Sequence, residues 1–152
     1  MNYLAVLISM IFIWMGAALD IYQHLFAMPK WFNSAPASFH LIGSQSKKTK
    51  AFWIPLTILI LFSVGLSILL NWHNSFVRNC LIGATLCFTM AVTISLTWFT
   101  KQVLTFTQVK PRESLTPELY YHMKLWLYNT TARDLLQVMA VVFVTVAFVH
   151  FS

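Results

Sequence analysis

Charge is what this sequence has least of. Only 9% of its 152 residues are Asp, Glu, Lys or Arg, and just 4 of them are acidic. An ordinary soluble domain carries about 25% charged residues. With 59% hydrophobic residues and a mean hydropathy of +0.71, the deficit excludes a conventional soluble domain and points to an integral membrane protein. Cysteine is also scarce. Cys80 and Cys87 are seven apart in one predicted helix, about 10 Å at the helical rise. That is too far for a disulfide, so they read as small apolar residues and say little about compartment. The stretch Met1 to Met15 lacks the basic start of a cleavable signal and reads as a first transmembrane helix. There is no Gly-rich phosphate loop, Cys-x-x-Cys, His-Glu-x-x-His, Gly-x-Ser-x-Gly or internal repeat, so those reaction classes have no support. No basic run is interleaved with aromatics either. The net charge of +6 therefore reads as anchoring on one membrane face, not nucleic-acid binding.

What remains is four long apolar segments, each near the roughly 20 residues that span a bilayer. They fall at about 2–28, 52–71, 79–106 and 117–151, in one domain covering 1–152. The region 30–50 reads as a loop with an ordered turn around Pro29 and Pro36. Within it, Trp31, Phe32 and Phe39 are expected to dip into the interface. Pro55 falls in the first turn of the second segment, where a missing N–H is harmless. Ser114 or Thr116 caps the last helix, followed by Pro117 and Glu118 in its first turn. Short links favour an all-α, up-down-up-down four-helix bundle in the membrane. Lys30, Lys47, Lys48, Lys50, Lys101, Lys110, Arg112 and Lys124 lie on one side, and Arg78 alone lies on the other. That asymmetry puts loops 30–50 and 107–116 in the cytoplasm and both termini outside. A bacterial inner membrane is the expected location.

The last segment carries the chemistry. Trp126, Asn129, Arg133 and Gln137 follow at spacings of three, four and four, one stripe of a helix. A stripe with an ionisable group should face the bundle interior or a wet cavity. Asp20 on the first helix is about 12 Å from its cytoplasmic end and Arg133 about 14 Å from the same side, so their depths match. They form either a polar pocket wall or a structural ion pair that fixes register. Asp134 is a rival partner for Arg133, or pairs with a Lys or Tyr across another face. Asp20 and His24, at i and i+4, can touch on one face as an oriented general base or as metal or haem ligands. His122 and Glu118 are the candidates to complete a metal site, although the sequence requires no cofactor. A hydrogen-bonded interfacial histidine is the plainer reading of His24. Thr85, Thr89, Thr93 and Thr97 form a second stripe, read as helix–helix packing or, with Thr93 and Thr97 as substrate contacts, as part of a ligand channel.

Gly16, Tyr22, Pro29-x-Trp31, Phe52-Trp53 and Trp126-x-x-Asn129-x-x-x-Arg133 together resemble the anthrone oxygenase-like family of small four-helix bacterial membrane proteins. The resemblance implies a four-helix bundle that oxidises a hydrophobic aromatic or quinone-like substrate with molecular oxygen. It brings Trp126, Asn129 and Arg133 to the family's polar stretch. In that reading Arg133 and Asn129 stabilise an oxyanion, His24 oriented by Asp20 removes a proton, and Trp126 stacks on the ring. The alternative is a non-catalytic lipid- or quinone-binding module, or an accessory subunit of a larger membrane complex. Membrane lipid and a hydrophobic small molecule are the expected partners, with a homo-oligomer as a further option.

Overall fold

The computed structural model describes residues 2–110 and 114–150, without the side chains of 45–50. The side chains of the Lys47, Lys48 and Lys50 cluster, the Pro111-Arg112-Glu113 stretch and the predicted helix end at Phe151 lie outside the described residues. The described chain is helical throughout: α1 (Asn2–Tyr22), α2 (Met28–Phe32), α3 (Phe39–Leu70), α4 (Ser75–Ile94), α5 (Thr100–Gln108) and α6 (Pro117–Val149). A wide π turn, Gln23–Ala27, joins α1 to α2, and a second, Ser95–Phe99, joins α4 to α5. The six helices therefore make four rods. Each contains a stretch long and apolar enough to cross a membrane: Asn2–Phe32, Ala51–Leu70, Ser75–Gln108 and Pro117–Val149. Their composition is that of a membrane protein.

Burial follows helical spacing. On α1 the inward residues are Ala5, Val6, Ser9, Ile13, Gly16, Ala17 and Asp20, three or four apart as one helix face requires. On α6 they are Leu119, Trp126, Thr130, Arg133, Asp134, Gln137, Ala140, Val144 and Ala147. α6 packs against α1 and α4, α1 against α3, and α3 against α4 and α5, which closes a ring of four rods. Tyr3 of α1 meets Phe148 at one end of the seam between the first rod and α6, with ring centroids 4.9 Å apart, and Trp31 of α2 meets Trp126 at the other, 6.1 Å apart. Small residues permit close approach. A Cβ added at Gly16 would come within 3.3 Å of the Ile60 side chain.

Three boundaries differ from the sequence expectation. The region 30–50 is largely helical: α2 carries Trp31 inward, and α3 begins at Phe39. Phe39 and Ile42, three apart, bury against Phe106 and its neighbours and anchor that first turn. Trp31 and Phe39 are thus core residues, not interfacial ones. Because α3 starts so early, Pro55 lies deep inside it, where its ring removes the N–H that would have bonded to the Ala51 carbonyl. α4 begins at Ser75, ahead of the expected start near 79, because the Asn74 side chain accepts from the Val77 N–H at 3.2 Å and caps the helix. The Thr116 hydroxyl caps α6 in the same way, accepting from the Leu119 N–H at 3.3 Å, with Pro117 next. That start is as the sequence led us to expect.

Two packed cores result. One is aliphatic and includes Val6, Ile13, Ile60, Val64, Leu81, Ala84 and Val144. The other is mostly aromatic and includes Trp31, Phe39, Phe99, Phe106 and Trp126. The polar residues of α1 and α6 lie between them in chain order. Asp20 falls after Ile13 and before Met28, and Arg133, Asp134 and Gln137 fall after Trp126 and before Ala140.

Candidate functional site

The polar layer is a network of five side chains with the Arg133 guanidinium at its centre. Arg133 Nη2 forms an ion pair with Asp20 Oδ1 at 3.1 Å and donates a hydrogen bond to Asp134 Oδ1 at 3.2 Å. Gln137 Nε2 donates to the other Asp20 oxygen at 3.1 Å. His24 Nδ1 lies 2.6 Å from Asp134 Oδ2. With that carboxylate ionised it only accepts, so the imidazole proton sits on Nδ1. The guanidinium also lies 5.3 Å from the centroid of the Phe99 ring, within range of a cation–π contact. Asp20, Arg133, Asp134 and Gln137 are all buried, which makes their mutual pairing a condition of stability, because an isolated buried charge is strongly disfavoured.

The predicted Asp20–Arg133 pair is therefore present, and Asp134 shares the same guanidinium. The predicted Asp20–His24 contact is replaced by another. Both Asp20 oxygens are engaged, by Arg133 and Gln137, and His24 turns instead to the free oxygen of Asp134.

Beside this network lies a cavity of about 660 Å³. Its walls are mostly apolar, with Met28, Trp31, Ile42, Phe88 and Val92 among them, and Asp20, Gln23, Arg133 and Gln137 contribute its main polar groups. A largely apolar chamber with a few convergent polar groups is the usual form of a small-molecule site. Both π turns contribute lining residues: Gln23 from the first, and Ser95, Leu96 and Phe99 from the second. Such widened turns recur at functional sites. Nothing in the apolar runs of the sequence announced them.

The remaining candidates are dispersed. Trp126 lines the cavity, but five aromatic rings already surround its own, with Phe99 nearest at 4.9 Å. It is a wall, not an open stacking platform. Asn129 does not line the cavity, and its amide donates to the Leu125 carbonyl one turn back at 3.0 Å. Thr130 takes its place on the buried face. Thr93 and Thr97 are exposed, and each hydroxyl in the threonine stripe donates to a carbonyl four residues back in its own chain. Neither Thr93 nor Thr97 lines the cavity. His24 is likewise absent from the cavity wall. His122 and Glu118 sit far from His24, since twelve residues along α6 separate His122 from His24's partner Asp134, about 18 Å of helix. Among the described residues no three His, Cys, Asp or Glu side chains gather in a way that would hold a metal ion.

No protein-family model, curated protein or solved structure matches this chain.

Proposed function

We propose that the chain is an integral membrane up-down-up-down four-helix bundle that binds a hydrophobic aromatic or quinone-like molecule in the cavity beside Arg133. The observation that carries this reading is the pairing of a 660 Å³ apolar chamber with buried Asp20, Arg133 and Gln137 on its wall. A chamber with purely structural polar groups would have no reason to keep them at its surface. The opposed order of contacts along α1 and α6 supports the alternating topology. The excess of Lys and Arg in loops 30–50 and 107–116 supports a cytoplasmic placement of those loops, in a bacterial inner membrane. Reporter fusions at the C terminus test that orientation, and a cytoplasmic C terminus overturns it.

Native mass spectrometry of the protein extracted in mild detergent tests the binding. The expected result is a retained aromatic small molecule, lost in Thr57→Phe, which places bulk on the cavity wall away from the charged network. A chain carrying only phospholipid in both forms would overturn the reading.

A catalytic version, in line with the anthrone oxygenase-like resemblance, is favoured by one observation: a carboxylate, Asp20, borders the cavity. In that version Asp20, not His24, takes a proton from the bound substrate, and molecular oxygen is the oxidant. Oxygen uptake on adding a hydroxylated anthrone to the purified protein, abolished in Asp20→Asn, is the expected outcome. Uptake that is equal in the variant and the wild type refutes it.

A further inference from the structure

Three residues of the cavity wall each carry a hydrogen-bonding atom that is buried and meets no partner among the described residues: Trp126 Nε1, Arg133 Nε and Gln137 Oε1. All three residues line the chamber, and they are only 3%, 6% and 2% exposed. Their spacing of seven and then four along α6 puts them on one face. A buried polar atom left unpaired costs free energy comparable to a lost hydrogen bond. Three of them on one wall define the complement a ligand must bring. Two N–H donors call for an oxygen acceptor, and the amide oxygen calls for a hydroxyl or similar donor.

The charge around them narrows the class further. The guanidinium is already shared by two carboxylates, at 3.1 and 3.2 Å. With both carboxylates ionised, Asp20, Asp134, Arg133 and His24 sum to −1 with a neutral imidazole and to zero with an imidazolium. No positive charge is left over for an anionic head, and one brought into this layer would meet like charge at low dielectric.

Part of the chamber's lining is exposed on the outside of the bundle. Ile54, Ile58 and Leu96 border it and are 58%, 61% and 65% exposed. The first two belong to α3 and the third to the Ser95–Phe99 turn, so the mouth is a lateral gap between two apolar rods. In a membrane that gap faces lipid acyl chains.

Building on the reading of this cavity as a ligand site, we propose that its occupant is a tailed, uncharged lipid. Its head carries both an acceptor oxygen and a hydroxyl donor, seats against Trp126, Arg133 and Gln137, and its hydrocarbon tail leaves between Ile54, Ile58 and Leu96. Loading is sideways from the bilayer. An anionic lipid of equal length, a fatty acid for example, is rejected by the charge of the layer, and a head without a tail leaves the mouth empty.

The test uses the full chain in a mild non-ionic detergent, with native mass spectrometry counting adducts during titration. The probes are monooleoylglycerol, oleate, and a benzoquinone ring with and without a decyl chain. Monooleoylglycerol is expected to saturate at one per chain and oleate to bind at least tenfold more weakly. Trp126→Phe, which keeps a ring and removes the Nε1 donor, is expected to weaken monooleoylglycerol about tenfold, the loss of one buried hydrogen bond. Ile58→Trp, at the mouth, is expected to weaken it at least fivefold. Leu59→Trp, next to it on α3 but outside the cavity wall, should leave binding unchanged. Oleate binding as tightly as monooleoylglycerol overturns the neutral head. Equal behaviour of the Ile58 and Leu59 variants, or measurable and equal binding of the two benzoquinones, overturns the lateral tail. Binding of monooleoylglycerol without either benzoquinone sinks the aromatic reading of the site and keeps this one. Tight binding of the tail-less ring does the reverse, and binding of none overturns both.

Discussion

The two ends of this bundle are built from different material. At one end Val6, Ile13, Ile60, Val64, Leu81, Ala84 and Val144 interdigitate, and Gly16 lets α1 and α3 come close. At the other, Trp31, Phe39, Phe99, Phe106 and Trp126 meet edge-on or tilted. Small branched side chains fill the space between rods at short range. Large rigid rings hold rods apart and leave gaps where their shapes do not match. The cavity borders that change of material, with Phe88 of the aliphatic core and Trp126 of the aromatic core both on its wall. The buried charges lie between the same two cores. In this molecule a chamber arises where one packing scheme hands over to another, and the polar network is what the chamber has to offer a guest.

That contrast can be broken at several points. The largest effect is expected from Arg133→Leu. It strands Asp20 and Asp134 as buried like charges, at a cost of about 3–5 kcal/mol, read as loss of folded protein or a steep fall in Tm in detergent. Replacing all three at once, as Asp20→Leu, Arg133→Met and Asp134→Leu, should recover most of the stability while abolishing ligand binding. Failure of the triple variant to regain stability would show that the layer shapes the fold and does not merely tolerate its charges. Next is Leu81→Ala in the aliphatic core, where a fully buried side chain is removed. It should cost about 2–4 kcal/mol with ligand affinity unchanged, and a matching loss of affinity would mean the two ends are not separable.

His24→Ala removes the 2.6 Å contact to Asp134 at the partly exposed edge of the network. About 1.5–3 kcal/mol is the scale for a hydrogen bond to a charged group, and affinity should change little because His24 does not border the cavity. A variant that is stable but inactive toward an anthrone would restore His24 as a catalytic residue. Ser67→Ala removes the 2.7 Å bond between Ser9 and Ser67, an interhelical contact in the aliphatic half. About 0.6 kcal/mol is expected from such bonds in membrane proteins, detectable only by careful denaturation. Smallest of all, Thr93→Val and Thr97→Val should each stay within about 0.5 kcal/mol and leave binding intact. A loss of ligand in either would return the threonine stripe to the site.

Much of the fold was legible because the signals are local. Apolar run length marks the four rods, and Thr116-Pro117 marks the start of α6 through capping chemistry. Helix in 30–50 is not legible locally because it is stabilised from outside: Phe39 packs on Phe106 of α5, more than sixty residues away. Asp20 and Arg133 could be matched by depth alone, since helical rise is uniform. Asn129 and Thr130 could not be told apart, because they differ by a rotation of one residue on a helix whose facing direction is set by its neighbours. Gln137 Nε2 and Arg133 occupy both oxygens of Asp20, and that choice sent His24 to Asp134.

The sequence by itself determined that the chain is helical, apolar enough for a membrane, and carries Asp20, Arg133 and Asp134 inside the apolar runs of its first and last rods. Those properties follow from composition and periodicity, which each segment carries alone. Tertiary structure decided which oxygen each donor meets, that three wall residues keep a buried polar atom without a partner among the described residues, and that Ile54, Ile58 and Leu96 border the cavity while standing exposed. Those depend on distances between segments remote in the chain. Neither hydropathy nor spacing carries that information.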